Sequence, residues 1–470
     1  MAFSNLFFLY LFFIVFFIFY YATKNRYRNA MLVFFSIIFY VWGETEFIWL
    51  LLISALMNFA FGKVLSSRTY ENQETKGLLI TSILCNIGIL VLFKYTGFFV
   101  ENINAIFSTS IPVPKISSHL PLGISFYTFR AISYLVDCAW GKVQAEKKFS
   151  NFLLYISMFP IITQGPIVRY ETIAPDLDNR KITAPDISEG LTRIIIGLGK
   201  KVIIADNLAS VVDQFLANGN INSQTTLGAW FGVILYSMQI YFDFSGYSDM
   251  AIGLGRMLGF KFLENFRYPF LCKDVTEFWQ RWHISLGTFF RDYVLYMPIF
   301  GKRRKFGGLF LVWFCTGLWH GASWNYILWG LYYGFFVLIE MLVGKKNMKK
   351  IPLFIRHIYN KVVIIIGFGI FYFEDLGELS TCLKCMFGLG ENGFIDPLLK
   401  SSFIANIYLI IVALICCFPI LEIPKRIMKK SPQANLVISV SGTILAIAVL
   451  IISSILLVDA TNRPFLYLRF

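Results

Sequence analysis

Only four histidines occur in 470 residues, and two stand in the most polar and aromatic stretches of an otherwise apolar region. These are His283 in DVTEFWQRWHISLGTFFRDY and His320 in WHGASWNY. A histidine within an apolar run is by default a packed, hydrogen-bonded core residue, yet an ionisable group at membrane depth is costly enough to mark a functional candidate. A buried neutral imidazole can take a proton from a hydroxyl as a general base. Position favours His320 for that work. The basic cluster Lys302, Arg303, Arg304 and Lys305 predicts a cytoplasmic start, and at about 1.5 Å per residue a helix from Lys305 places His320 roughly 22 Å further on, beyond the midplane. Gly321, Ala322 and Ser323 then leave room for a ligand or a close helix contact. Ser323 and Asn325 are candidates for support in the same motif.

The His283 segment predicts something different. Asp274 followed by Glu277 is a capping-box pattern at a helix start. At 100° per residue, Val275, Phe278, Trp279, Trp282, Leu286, Phe289, Phe290 and Tyr293 fall on one apolar arc, while Gln280, Arg281 and Arg291 face away. The expectation is an amphipathic helix at the cytoplasmic interface, with His283 on the border between buried and wet. Two further polar clusters interrupt apolar surroundings: Thr163, Gln164 and Arg169 in FPIITQGPIVRY, and Gln239, Asp243 and Asp249 in QIYFDFSGYSDMAIG. Intramembrane carboxylates should face partners or a water-filled cavity. Arg281 and Arg169 are the expected partners of Asp243 and Asp249, so these residues are given support roles.

Other chemistries have little to stand on. GLGRMLG lacks the preceding strand of a dinucleotide fingerprint, and no serine elbow or paired-carboxylate pattern is evident. The eight cysteines are scattered; Cys382 and Cys385 form a lone CxxC with no companion pair, read as structural, and no metal site is expected.

The elements that must position these groups follow from composition. The chain is 57% hydrophobic and 15% charged, outside the range of ordinary soluble domains, and predicts an all-α polytopic membrane protein. Its 42 basic and 28 acidic residues leave a balance of +14. In a soluble protein this would point to nucleic acid; between apolar runs it sets topology and meets anionic headgroups. Apolar runs at Phe3–Tyr21, Ala30–Trp42, Phe47–Phe61, Leu78–Val100 and Leu120–Val136 read as successive spans, the first retained rather than cleaved. The alternating charge of their connections puts the N-terminus outside, and the far end, read separately, puts the C-terminus outside as well. Between them Ile194–Ile204, Leu227–Phe244 and Met250–Phe260 predict short, broken helices, tolerated at membrane depth only where buried in protein or lining a cavity. Glu374–Lys400 reads as an outer loop, and about Ala434–Val458 as the last span.

Taken together, PLGISFYTFR, FPIITQGPIVRY, QIYFDFSGYSDMAIG, NFRYPF, DVTEFWQRWHISLGTFFRDYVLY, WHGASWNYILWG and the terminal PFLYLRF resemble the membrane-bound O-acyltransferase (MBOAT) family. The likeness is greatest to the bacterial branch with the alginate and peptidoglycan O-acetyltransferase membrane components. It spans Pro121–Phe470 and implies an MBOAT fold of about eleven transmembrane helices plus re-entrant and interfacial ones. Residues 1–470 would form one membrane domain, 121–330 its core, and 459–470 an extracytoplasmic tail. The resemblance gives the catalytic role to His320, a place in a cytoplasmic donor funnel to His283, and an acyl-carrying role to Tyr467.

The implied function is transfer of acetyl from a cytoplasmic thioester, acetyl-CoA, to the outer side of the bacterial inner membrane. A periplasmic O-acetyltransferase partner would complete O-acetylation of an envelope polysaccharide. No bound cofactor and no nucleic acid are implied. Richness in Phe, Lys, Ile, Asn and Tyr favours peptidoglycan as the acceptor over alginate or another exopolysaccharide. From another class, an acyl-group transporter without a covalent relay would also use buried polar residues.

Overall fold

The computed structural model describes residues 3–70, 72–117, 119–295, 305–420, 422–428, 431–459 and 465–466. Every regular element among them is helical, as required of a chain that must satisfy its backbone within lipid without closing a barrel. Among the described residues, Ile48–Ser66, Gln73–Lys94, Trp324–Met348, Leu353–Tyr372 and Pro432–Val458 are long and apolar enough to cross a membrane. The pair Pro397–Ala405 and Ile407–Cys416, bent by 64°, adds a sixth span if read as one. The chain is a multi-pass membrane protein.

About eleven spans are not reached on length alone, because apolar runs are divided or short. Leu78–Val100 breaks at Tyr95 between helices Gln73–Lys94 and Thr96–Phe107. Lys305–His320 has 16 residues, about 24 Å of helix against a hydrocarbon core of about 30 Å. Two expectations change in their helical detail. Leu227–Phe244 and Met250–Phe260, up to Met257, belong to one helix of 32 residues, Thr226–Met257: Ser245 and Ser248 lower the hydropathy, yet both are buried and neither stops a helix. The stretch 374–400 holds helices Leu376–Met386 and Pro397–Ala405. Each is started by an aspartate cap, Asp375 accepting from the Glu378 amide and Asp396 from the Leu399 amide, both at 2.8 Å.

Packing divides the chain into two compact units, one built from the described residues up to Ile194 with Ser248–Leu263, the other from Ile195–Tyr247 and the described part of Glu264–Leu466. In the first, the phenylalanine surplus becomes an interlocked aromatic core: the Phe159 ring lies 5.6, 5.1 and 5.6 Å from those of Phe12, Phe16 and Phe39. Asn58 and Asn86 exchange amide hydrogen bonds of 3.0 and 2.7 Å between helices Ile48–Ser66 and Gln73–Lys94. Arg130 is fully buried and donates to the carbonyls of Tyr155 and Ile156 at 3.1 and 2.8 Å, satisfying the end of helix Phe149–Ser157.

The second unit is organised by the hairpin of Lys305–His320 and Trp324–Met348. A Cβ at Gly317 would strike the Tyr326 carbonyl, and one at Gly330 the Trp313 carbonyl. Both glycines are therefore what lets these backbones cross closely.

Candidate active site

His320 is the last residue of its helix and is 2% exposed. Its ring sits 4.9 Å from Trp319, 4.8 Å from Trp329 and 5.1 Å from Phe371. The box is held by the residues that follow. Buried Asn325 donates to the carbonyls of Ile370 and Phe371 at 3.4 and 3.2 Å, and the Tyr326 hydroxyl donates to Glu374 at 3.0 Å. Together they pin the end of helix Leu353–Tyr372 against the imidazole. The room expected at Gly321 is taken by the Tyr326 ring, which a Cβ there would strike. Ser323 is the N-terminal residue before helix Trp324–Met348 and is partly exposed.

His283 is not on a border between buried and wet. It is 2% exposed and lies at a break, because the expected amphipathic helix splits into Val275–Arg281 and Ile284–Phe290. The half of the capping box that forms is the Asp274 carboxylate accepting from the Glu277 amide at 2.8 Å. Glu340 supplies the rest, accepting from the amides of Val275 and Thr276 at 2.7 and 2.8 Å and from the Thr276 hydroxyl at 2.6 Å. At the break His283 takes left-handed angles, φ 42° and ψ 54°, a conformation costing about 1–3 kcal/mol in a non-glycine residue.

Asn265 holds the break in place. Its backbone carbonyl accepts from the Ile284 amide at 2.9 Å. Its side-chain oxygen accepts from the Ser285 amide at 3.1 Å and the Ser285 hydroxyl at 2.9 Å, and lies 3.1 Å from His283 Nδ1. Since that oxygen can only accept, the ring hydrogen belongs on Nδ1, which makes Nε2 the acceptor nitrogen of the neutral ring. Burial lowers the His283 pKa and favours that neutral form.

The two histidines meet around one indole. Trp319 is 5.6 Å from the His283 ring and 4.9 Å from the His320 ring, while Phe244 meets His283 edge-on at 4.7 Å. Trp279 extends the cluster, 5.4 Å from Trp329 and 5.0 Å from Trp313. The arrangement can fix two imidazoles and exclude water between them.

The other sequence candidates separate. Asp243 pairs with Lys201 at 2.6 Å and Asp249 with Arg193 at 2.8 Å. Arg281 is engaged by Glu277 at 2.6 Å, one helical turn away. Local partners one turn along a helix are satisfied first, and the aspartates are reached by cations from the segment around residues 193–201. Gln239, on helix Thr226–Met257, is buried in the second unit. Gln164 and Asp249 belong to the first unit. Gln164 is fully buried and lies two residues after Ile162, whose carbonyl a Cβ on Gly123 would strike. Cys382 is buried with its sulfur 3.8 Å from that of Met386. Tyr467 and Lys302–Arg304 lie outside the described residues.

Sequence reasoning did not single out Asn265, Glu340 or Lys201. Glu340 and Lys201 carried a signal, each being a charge inside an apolar run. Asn265 opens NFRYPF, one of the motifs that carry the resemblance, but was given no role there.

An all-helical membrane fold with two buried histidines in these motifs fits one class of enzyme, and residues 37–375 match the family model described as MBOAT, membrane-bound O-acyltransferase family. The chain belongs to that family and is a membrane-bound O-acyltransferase. It is 39% identical over 397 residues to the probable alginate O-acetylase AlgI of Pseudomonas syringae, covering 83% of this chain and 76% of that protein. To the peptidoglycan O-acetyltransferase of Helicobacter pylori it is 32% identical over 403 residues, 78% and 75% of the two chains. A teichoic acid D-alanyltransferase of Bacillus subtilis is 32% identical over 243 residues, 48% of this chain and 60% of that one.

Proposed function

We propose that the protein transfers acetyl from acetyl-CoA on the cytoplasmic side to the outer side of the inner membrane, for O-acetylation of an exopolysaccharide of the alginate type. The observation that carries the reading is the pair of buried imidazoles around Trp319. In the proposed reaction His320 takes the proton of the Tyr467 hydroxyl as the phenolate attacks the thioester carbonyl. The C–S bond breaks, and the proton leaves on the departing thiol. Without a base, a phenol of reference pKa about 10 would attack slowly at neutral pH. The resulting tyrosyl ester passes its acetyl to a periplasmic partner transferase, which places it on a sugar hydroxyl. Both termini lie outside in this reading, and His283 lines the donor side.

The acceptor preference rests on similarity: relatives named for alginate are 37–39% identical to this chain, against 32% for the peptidoglycan enzyme. Richness in Phe, Lys and Ile reports on a genome rather than on a sugar, so the compositional preference for peptidoglycan gives way. Peptidoglycan stays as the second reading because the match to that enzyme spans comparable lengths of both chains.

Purified protein given labelled acetyl-CoA should carry label on Tyr467, and Tyr467→Phe should carry none; label persisting on that variant overturns the relay. In a deletion strain, ester-linked acetate should vanish from secreted polysaccharide while muropeptides keep theirs. The opposite pattern selects peptidoglycan.

A further inference from the structure

The second unit contains a buried ion pair that the proposed chemistry does not use. Lys201 lies in a π-helical turn, Lys200–Ala205, that follows helix Ala184–Gly199; such turns re-aim side chains and recur at functional sites. Its ammonium is 2.6 Å from Asp243 Oδ1 and 2.8 Å from Asp206 Oδ1, and both Lys201 and Asp243 are buried. Gly246 makes the approach possible: a Cβ there would come within 2.7 Å of the Gly197 carbonyl.

A buried ion pair is a poor way to gain stability, since desolvation offsets much of the attraction. What this pair does is visible on its other side. Asp243 Oδ2 accepts the backbone N–H of Leu466 at 2.9 Å. The Phe465 ring, fully buried, lies under the Lys201 ammonium at 4.7 Å and edge-on to Tyr247 at 5.1 Å. Each charged partner thus spends one face on the other and one on the C-terminal segment, through a cation–π contact and a charge-assisted hydrogen bond. The backbone contact reads no side chain, whereas the cation–π contact requires an aromatic residue at 465. The next residue in the sequence is Tyr467.

We propose that Lys201 and Asp243 form a receptor for the C-terminal segment, gripping Phe465 and the Leu466 amide so that Tyr467 is presented in a fixed register. The pair is a positioning device. Its consequence for turnover rests on Tyr467 being the acyl carrier; the docking does not.

The test uses the full-length protein in detergent, with carboxypeptidase release of C-terminal residues followed by mass spectrometry alongside acetyl labelling from labelled acetyl-CoA. Three variants separate the parts. Phe465→Ala leaves the ion pair intact. Lys201→Met with Asp243→Leu removes both charges of the buried pair and takes the lysine only from Asp206, whose carboxylate is partly exposed. Lys201→Arg keeps the cation and should restore wild-type behaviour. Trimming past position 466 should be fast in the first two variants and slow in wild type and Lys201→Arg. Labelling of the intact chain should fall on the order of a hundredfold in the first two, the scale expected when a reacting group is misplaced by about 1 Å.

Equal trimming in all variants overturns the receptor. Faster trimming with undiminished labelling of intact chains overturns its positioning role. If Tyr467→Phe trims slowly yet still supports full polymer acetylation, the relay fails while the receptor stands.

Discussion

His320 and His283 share one indole but sit in different settings. His320 closes a helix and is boxed by Trp319, Trp329 and Phe371. His283 sits on left-handed backbone between two short helices, tied through Asn265. Rings fix a position and exclude water; hydrogen bonds fix a tautomer. A base that must gain and lose a proton is better served by the first arrangement. A residue that must present one nitrogen in one state is better served by the second.

The largest effect is expected at His320, the proposed base. His320→Ala should lower acetyl labelling by about 10²–10⁴-fold, measured on purified, folded protein. A larger loss from His283→Ala would reverse the two roles. Next in size is Asn265→Ala, which strips the acceptor from His283 Nδ1 and from two Ser285 donors. Each unsatisfied buried donor costs about 1–3 kcal/mol, so a fall in melting temperature should accompany the loss of activity.

The smallest effect separates strain from chemistry. Glycine tolerates the φ of 42° at position 283, so His283→Gly should be more stable than His283→Ala by about 1 kcal/mol. Both should be impaired to the same degree in donor use. Unfolding curves that coincide would show that the backbone there is not held in its left-handed form by the surrounding hydrogen bonds.

The site was half legible in the sequence, and the division is physical. WHGASWNY carries its own signal: a histidine, small residues and aromatics fall within eight residues, so His320 could be singled out without tertiary information. His283 could not be placed, because an unbroken arc from Val275 to Tyr293 assumes a helix that Asn265, 18 residues upstream, interrupts. Hydropathy also misread Thr226–Met257 as fragments, since it scores polarity and not helix-breaking. Asp243 needed a partner 42 residues away, and nothing in local spacing identifies which cation folds back onto it. The helical membrane class, by contrast, follows from bulk composition and required no such contact.

The last described helix, Pro432–Asp459, turns Leu436, Val437, Val440, Ile444, Leu445, Ile447, Ile451 and Ile455 outward, as suits a surface bathed in lipid. Under the proposed docking, a helix so sparsely packed would serve chiefly as a leash. It confines the C-terminal segment near its docking place at a high effective concentration, which depends on the connection and not on new contacts. Severing the chain ahead of Pro432 would leave two pieces that each suit a bilayer. Their joint activity would then follow how densely both are expressed in the same membrane.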